Sequence, residues 1–235
     1  PLPPTPMLPA ATKGPRDMGE AKLRVDIVSD VVCPWCIIGY KQLEQALKLT
    51  GTEVEIHWQP FELNPNMPPE GQNIREHVAE KYGATAEQSA RTRAQMKDLG
   101  ESLGFTFSYN EDSRIVNTFQ AHQLLFWANE QGREHDLKMA LFDKYFTAGG
   151  DVSDSDVLLE AVAEVGLDTA DAKAVLEDGR HAKAVREREE FWTSNGISGV
   201  PAMIFNQKHL VTGAQGADNY ASILTQLKDM AAADA

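Results

Sequence analysis

The chain contains 235 residues, of which 42% are hydrophobic and 24% charged, a composition typical of a globular protein that buries a full core without disulfide staples. Its 35 acidic side chains outnumber its 22 Lys and Arg, and the resulting net charge of −13 argues against nucleic acid and anionic membranes as partners. No window of about 18 consecutive apolar residues occurs, so we expect no membrane-spanning segment.

The N-terminal segment differs in character from the rest of the chain. Four of its first six residues are proline, and we expect residues 1–21 to form a disordered arm. The segment also lacks the continuous apolar region of a signal peptide, which leads us to expect a cytoplasmic protein.

A β-α-β unit is predicted after this arm. Apolar and charged residues alternate over residues 22–29, which indicates a strand. Residues 34–49 place apolar side chains three and four positions apart, as in an amphipathic helix, and Gly51 supplies a stop signal. A second alternating segment covers residues 53–59. The connection between the strands is long enough for them to pair in parallel.

The middle of the chain is predicted to be helical. After a Pro- and Asn-rich loop at residues 60–71, there is little strand signal up to about residue 195. The predicted helices, which glycines separate, cover residues 74–82, 85–103, 118–131, 137–146, 154–165, 169–177 and 181–194.

Strand signals return near the C-terminus. Residues 202–205 and 209–212 are predicted to form a hairpin around a three-residue turn, and a last helix is expected over residues 218–230. The predicted order is therefore β-α-β, a helical block, then β-β-α.

The only two cysteines of the chain lie in one motif, Cys33-Pro34-Trp35-Cys36. A C-x-x-C motif beside a β-α-β unit is typical of thioredoxin-like redox proteins. Cys33 is predicted at the N-cap of the helix and Pro34 at its first position, where the helix dipole favours a thiolate on Cys33. Cys36 lies on the same face within disulfide reach. The motif predicts that Cys33 attacks a disulfide and that Cys36 resolves the mixed disulfide.

Two other interpretations of the cysteine pair remain. A single C-x-x-C is half of a zinc site, but no second pair exists, and no metal site is predicted. A structural disulfide or inert thiols are the other alternative, although a cytosolic protein of this length needs no staple. The histidines show no metal-ligand spacing: His57, His77, His122, His135, His181 and His209.

Several segments of the chain resemble the DsbA-like thioredoxin-fold family, and most closely its FrnE-like subgroup. That subgroup is related to 2-hydroxychromene-2-carboxylate isomerases and kappa-class glutathione transferases. The resembling segments span roughly residues 22–230. They are SDVVCPWC at residues 29–36 with Ile38-Gly39, PFELNP at residues 60–65, Asn117-Thr118 with Ala121-His122, and GISGVP at residues 196–201.

The resemblance implies an α/β thioredoxin fold with a large all-helical domain inserted after the second strand. Residues 22–62 and 196–233 would form the discontinuous thioredoxin-like domain, and residues 63–195 the insertion. The resemblance also implies a cis Val200–Pro201 peptide facing the cysteines, with the Val200 backbone ready to pair with an extended substrate. We therefore expect Pro34, Trp35, Val200, Pro201 and Asn64 to contact substrate.

The sequence departs from the family pattern at the position six residues before the first cysteine. Many thioredoxin-fold enzymes carry a buried acid there, whereas this chain has Ile27. Because side chains alternate between the two faces of a strand, Asp26 is expected on the other face. Asp30 or water is then the candidate group for proton transfer to and from Cys36. His122 is either a proton carrier or a histidine satisfied within a packed helix.

The sequence therefore predicts an enzyme, a thiol–disulfide oxidoreductase of reductase or isomerase type that acts on disulfide-containing proteins or small-molecule thiols. It is expected to need no bound cofactor, and glutathione is a candidate co-substrate. A glutathione-dependent isomerase or transferase of the same fold is an alternative, but those relatives usually have serine where Cys33 stands. A non-catalytic redox-sensing binding module is another alternative. The oligomeric state is not predicted.

Overall fold

The computed structural model describes residues 22–110 and 112–233. The arm predicted for residues 1–21 lies outside these residues. Within them, no helix has both the length and the apolar character needed to cross a bilayer.

The chain begins with the predicted β-α-β unit. Strand β1 (Leu23–Ser29) leads into helix α1 (Pro34–Thr50), and β2 (Val54–Pro60) follows. The two strands pair in parallel, with Ile27 opposite Trp58. Helix α1 starts at Pro34 because the ring fixes φ where no N–H partner is needed.

A helical block follows β2, as predicted. Its elements are β3 (Gln72–Asn73), α2 (Ile74–Tyr82), α3 (Ala86–Ser102), β4 (Arg114–Ile115), α4 (Phe119–Glu130), α5 (Glu134–Phe142), α6 (Ser155–Glu164), α7 (Thr169–Asp178) and α8 (Ala182–Ser194). Two details differ from the prediction. Helix α5 begins three residues earlier than expected and continues into a π-helical turn at Asp143–Thr147. The short strands β3 and β4 form an antiparallel ladder that no sequence pattern indicated.

The C-terminal part completes the sheet. Strands β5 (Ala202–Phe205) and β6 (His209–Thr212) form the predicted hairpin, and α9 (Ala217–Ala233) follows. The sheet order is β2-β1-β5-β6, in which β5 is antiparallel to β1. The thioredoxin fold with a helical insertion after the second strand is therefore confirmed.

One continuous hydrophobic core joins the sheet to the helical block. Helices α1 and α9 pack together and bury Leu43 and Tyr220 completely. The ring of Trp58 on β2 meets that of Phe142 on α5 edge-on, with centroids 6.1 Å apart. Because the core runs across both parts of the chain, their division at residues 62/63 and 195/196 stays a prediction.

Candidate active site

The two cysteines lie at the N-terminus of α1, where the motif predicts them. Cys33 is the N-cap, in extended conformation, and Pro34 begins the helix. Both thiols are free. Cys33 is 3% exposed and Cys36 is completely buried. Cys33 is therefore the sulfur nearer to the surface, whereas Cys36 lies behind it in the core.

The segment before β5 covers the dithiol from the opposite side. The Val200–Pro201 peptide is cis, as the resemblance implies. The thiol of Cys33 donates to the carbonyl oxygen of Val200, at a sulfur–oxygen distance of 3.7 Å. Pro201 packs on α1 at Gly39, where a Cβ atom would lie 3.2 Å from its Cγ atom. Glycine thus allows the proline to approach the dithiol helix closely.

A buried acid and a histidine lie behind the motif. Asp30 Oδ1 is 3.3 Å from His122 Nε2, and its Oδ2 accepts the amide of Leu63 at 2.8 Å. Burial opposes ionisation of Asp30, but His122, the Leu63 amide and the charge of Lys138 outweigh it, so the pKa of Asp30 lies below its ordinary value. His122 Nε2 also lies 3.1 Å from the carbonyl oxygen of Phe61. His122 therefore binds two acceptors within the site, a placement that its helix position alone did not reveal.

Lys138 is a buried cation that sequence reasoning missed. It lies on α5 with only 1% of its surface exposed. Its ammonium lies over two aromatic rings, 5.2 Å from the centroid of Trp58 and 5.1 Å from that of Phe142. Burial lowers its pKa, while the negative charges of Cys36, Asp30, Glu134 and Cys33 act in the opposite direction.

The two thiols ionise as a coupled pair. The hydrogen bond to Cys36, burial and repulsion from the Cys36 thiolate raise the pKa of Cys33 well above its ordinary value. Burial also opposes ionisation of Cys36, but the hydrogen bonds from Cys33 and Ser29 and the charge of Lys138 lower its pKa overall. Because the two thiols titrate together, these directions describe the pair, and the thiolate expected on Cys33 at the helix N-terminus stays a prediction.

The residue six positions before Cys33, where many thioredoxin-fold enzymes carry an acid, is apolar in this structure. Ile27 is completely buried in β1. The carboxylate of the neighbouring Asp26 accepts hydrogen bonds from Arg24 at 2.7 and 2.8 Å and from the side-chain amide of Gln59 at 2.8 Å. Ser29 Oγ is buried next to the dithiol and has no nitrogen or oxygen partner among the described residues, so its hydroxyl is free to donate to Cys36.

A groove of about 420 Å³ opens beside Cys33. We call it the motif groove. It brings together most of the predicted substrate-binding residues, namely Pro34, Trp35, Asn64 and Val200, whereas Pro201 lies buried behind them. The helical block supplies the opposite wall, formed by Ile74, His77, Val78, Tyr82, Met96 and Tyr109.

The walls of the motif groove are mostly apolar, with a few polar groups at defined positions. Trp35 and Tyr82 are large rings that remain 40% and 62% exposed. Asn64 Oδ1 accepts a hydrogen bond of 2.6 Å from Lys81 Nζ, which fixes the amide at the groove. Large rings exposed beside the Cys33 thiol form an apolar surface typical of a ligand-binding site rather than of the core.

A second cavity of about 570 Å³ lies between β2 and helices α4, α5 and α8. We call it the inner cavity. Its polar lining includes His57, Glu134, Lys138, Arg188 and Arg24. Glu134 Oε2 accepts the backbone amide of Trp58 at 3.3 Å. The inner cavity therefore holds ionisable groups that the sequence did not connect with the cysteine motif.

No group of three or more potential metal ligands occurs in residues 22–110 and 112–233.

Comparison with known proteins is consistent with this geometry. The pattern of the DsbA-like thioredoxin domain family matches residues 24–225. A crystal structure of a probable DsbA oxidoreductase from Streptomyces coelicolor is 32% identical and superposes with a TM-score of 0.81, covering 87% of this chain and 89% of that one. The uncharacterized protein YwbO of Bacillus subtilis (strain 168) is 27% identical over 197 residues, 83% of this chain and 92% of YwbO.

A third similar structure is the cytosolic disulfide reductase DsbM from Pseudomonas aeruginosa, solved with GSH. It is 17% identical, superposes with a TM-score of 0.59 and covers 87% of this chain and 99% of that one. At this identity the likeness concerns the fold alone.

Proposed function

Because the chain belongs to the family of DsbA-like thioredoxin domains, we propose that it is a thiol–disulfide oxidoreductase whose reactive groups are Cys33 and Cys36. One observation carries the proposal. Two free thiols lie at a helix N-terminus, and the outer one, Cys33, contacts the Val200 carbonyl at the edge of an open groove. A structural disulfide or a zinc site would not need such a groove.

The proposed reaction has two exchange steps. Ionisation of Cys33 leaves a thiolate that lines the motif groove. Cys33 attacks a substrate disulfide, forms a mixed disulfide and releases one substrate thiolate. Cys36 then loses its proton and attacks the sulfur of Cys33. The Cys33–Cys36 disulfide forms, the second substrate thiolate leaves, and two electrons have passed to the substrate.

We propose a disulfide-bearing peptide segment as the substrate. The apolar motif groove fits one side chain next to the disulfide, with Trp35 and Tyr82 as flanking rings. The Val200 backbone, beside Cys33, is placed to pair with an extended chain. Such a groove also accommodates a small thiol, so glutathione is a suitable co-substrate to regenerate the dithiol. The DsbM structure solved with GSH supports this choice, and its cytosolic origin supports a cytoplasmic site of action.

The proposal is tested by measuring glutathione-dependent reduction of a peptide disulfide. The reduction potential of the Cys33–Cys36 pair is measured in parallel by equilibration with glutathione. We expect Cys33→Ser to abolish turnover and Cys36→Ser to accumulate a mixed disulfide of one substrate per protein, detected by mass spectrometry. Leu49→Ala is a matched control, since Leu49 is 65% exposed near the far end of the same helix.

Two results would overturn the proposal. Wild-type protein that forms no reversible Cys33–Cys36 disulfide would exclude dithiol chemistry. Full turnover by Cys36→Ser, with saturable binding of glutathione, would instead favour a glutathione-dependent isomerase or transferase.

A further inference from the structure

The motif groove differs in charge from the chain as a whole. The chain carries a net charge of −13, yet no Asp or Glu of residues 22–110 and 112–233 lines the groove. Besides Cys33, the ionisable groups on its walls are Arg93, His77 and two tyrosines. Burial lowers the pKa of His77 and raises the pKa values of the tyrosines, so these groups are uncharged at neutral pH. Arg93 therefore supplies the positive charge of the groove walls.

Arg93 lies on the wall that the helical block contributes. It belongs to α3, where Ser89 stands four positions before it and Met96 three positions after it. All three residues line the motif groove, so they share the side of α3 that faces it. Arg93 is half-buried and, among the residues that the structure describes, forms no hydrogen bond or ion pair. The five N–H donors of its guanidinium are thus available to a ligand in the groove.

The motif groove presents a further donor at Asn64. The side-chain oxygen of Asn64 accepts a 2.6 Å hydrogen bond from Lys81 Nζ, which also donates to the carbonyl oxygen of Leu63 at 2.7 Å. The side-chain nitrogen of Asn64 has no partner within the described part of the chain. Because its oxygen already accepts from Lys81, the side chain presents its N–H donors to a ligand. Together with the charges of Lys81 and Arg93, these donors suit a ligand that carries negative charge.

We propose that Arg93 selects the substrate by binding an Asp or Glu side chain close to the disulfide, so that the enzyme acts on disulfides in acidic peptide segments. This inference rests on the proposed function and specifies the substrate class of the same groove. A guanidinium and a carboxylate pair through two parallel hydrogen bonds, which a glutamine side chain with its single oxygen does not match. The pair also offsets the repulsion that a chain of charge −13 exerts on an acidic peptide.

The test follows a single turnover of the reduced protein with peptide disulfides that differ at one position. Each peptide carries Glu, Gln or Lys two residues from its disulfide, first on one side and then on the other. The protein is reduced with dithiothreitol and desalted, so no thiol that bears a carboxylate is present. Wild type should reduce the better Glu peptide about fivefold faster than its Gln counterpart, and the Lys peptide more slowly still. The difference should shrink at about 0.5 M salt, which screens the charges.

Two variants of Arg93 separate selection from a structural role. Arg93→Gln should remove the difference between the Glu and Gln peptides. Arg93→Glu should reverse the preference, so that the Lys peptide becomes the fastest. A variant that only loosened the fold would slow all peptides alike and could not reverse their order. Arg91→Gln is the matched control, because Arg91 lies on the same helix, is 69% exposed and should leave the wild-type preference unchanged.

Equal rate constants for the Glu and Gln peptides in wild type would overturn the inference, as would a preference that survives in Arg93→Gln. Glutathione disulfide, which carries carboxylates of its own, forms a separate arm. If Arg93→Gln slowed its reduction but not that of the Glu peptide, the arginine would serve glutathione and not peptide selection. Failure of wild type to reduce any peptide would instead overturn the proposed function. Binding of the Glu and Gln peptides to Cys33→Ser protein, measured by fluorescence anisotropy, would then still decide the role of Arg93.

Discussion

Replacing Glu134 with glutamine measures how strongly the fold opposes a negative charge at this position. Burial raises the pKa of Glu134 to about 7 from an ordinary value of 4.5. The folded protein therefore holds a proton that the unfolded chain releases at lower pH. The stability that this proton confers is complete below about pH 4.5 and is lost as the pH rises through about 7. Glutamine does not titrate, so the variant should not lose stability in this way.

The size of the effect follows from the two pKa values. A folded-state pKa of about 7 against 4.5 corresponds to about 3 kcal/mol, at about 1.4 kcal/mol per pKa unit. Between about pH 5.5 and about pH 8.5, about 2 kcal/mol of this difference develops. Over this range the Glu134→Gln variant should therefore gain about 2 kcal/mol in unfolding free energy relative to wild type.

The measurement is urea denaturation at several pH values, followed by tryptophan fluorescence with a reductant present. Glu101→Gln serves as the control, because it removes an exposed glutamate of α3 and corrects for the loss of one negative charge. If the unfolding free energies of wild type and Glu134→Gln run parallel from pH 5.5 to 8.5, burial does not disfavour this carboxylate, and the reasoning is refuted.

Two further predictions concern the packing of α3 and the motif groove. Gly100→Ala should destabilise the fold by about 1–3 kcal/mol, because its Cβ atom would lie 2.6 Å from a ring carbon of Phe107. Gly199→Ala, with no atom within 4 Å of the new Cβ, is the control in urea denaturation, and equal midpoints would contradict the prediction. Tyr82→Ala should raise the KM for a peptide disulfide and leave kcat nearly unchanged, since Tyr82 lines the motif groove without touching the sulfurs. An equal rise in KM for Leu210→Ala, at an exposed position on β6, would show that the effect is not specific to the groove.

The sequence predicted the parts of the site that depend on neighbouring residues. Cys33 lies at the N-cap of α1 because proline at the next position favours a helix start there. The order of strands and helices was predicted from apolar residues that recur every two positions in the strands and about every three and a half positions in the helices. The groove contacts of Asn64 and Val200 came from the family resemblance, since nothing local distinguishes either residue.

The buried charges could not be predicted in this way. Lys138 lies in a helix whose neighbouring positions Leu137, Leu141 and Phe142 are completely buried, so a lysine that would normally be exposed falls inside the protein. The start of α5 was missed because its N-cap, Arg133, makes no capping hydrogen bond and gives no signal in the sequence.

Long-range contacts account for the other differences. His122 and Asp30 are 92 positions apart, and only the packing of α4 against the motif brings them together. The β3–β4 ladder pairs segments of two residues, which are too short to show a periodic pattern. The ionisation of the dithiol depends on Lys138 and Ser29 as well as on the helix dipole, and the motif itself contains neither of these groups.

The position of the Val200 contact also has a consequence for synthesis of the chain. Cys33 emerges from the ribosome early, but the carbonyl that covers its sulfur lies 167 residues later. At about 5–20 residues per second, this separation leaves the thiols of a nascent chain uncovered for about 10–30 s. During that interval β5 cannot pair with β1, and the sheet is incomplete. The nascent protein is therefore most open to oxidation and to capture by other thiols before its own C-terminal hairpin arrives.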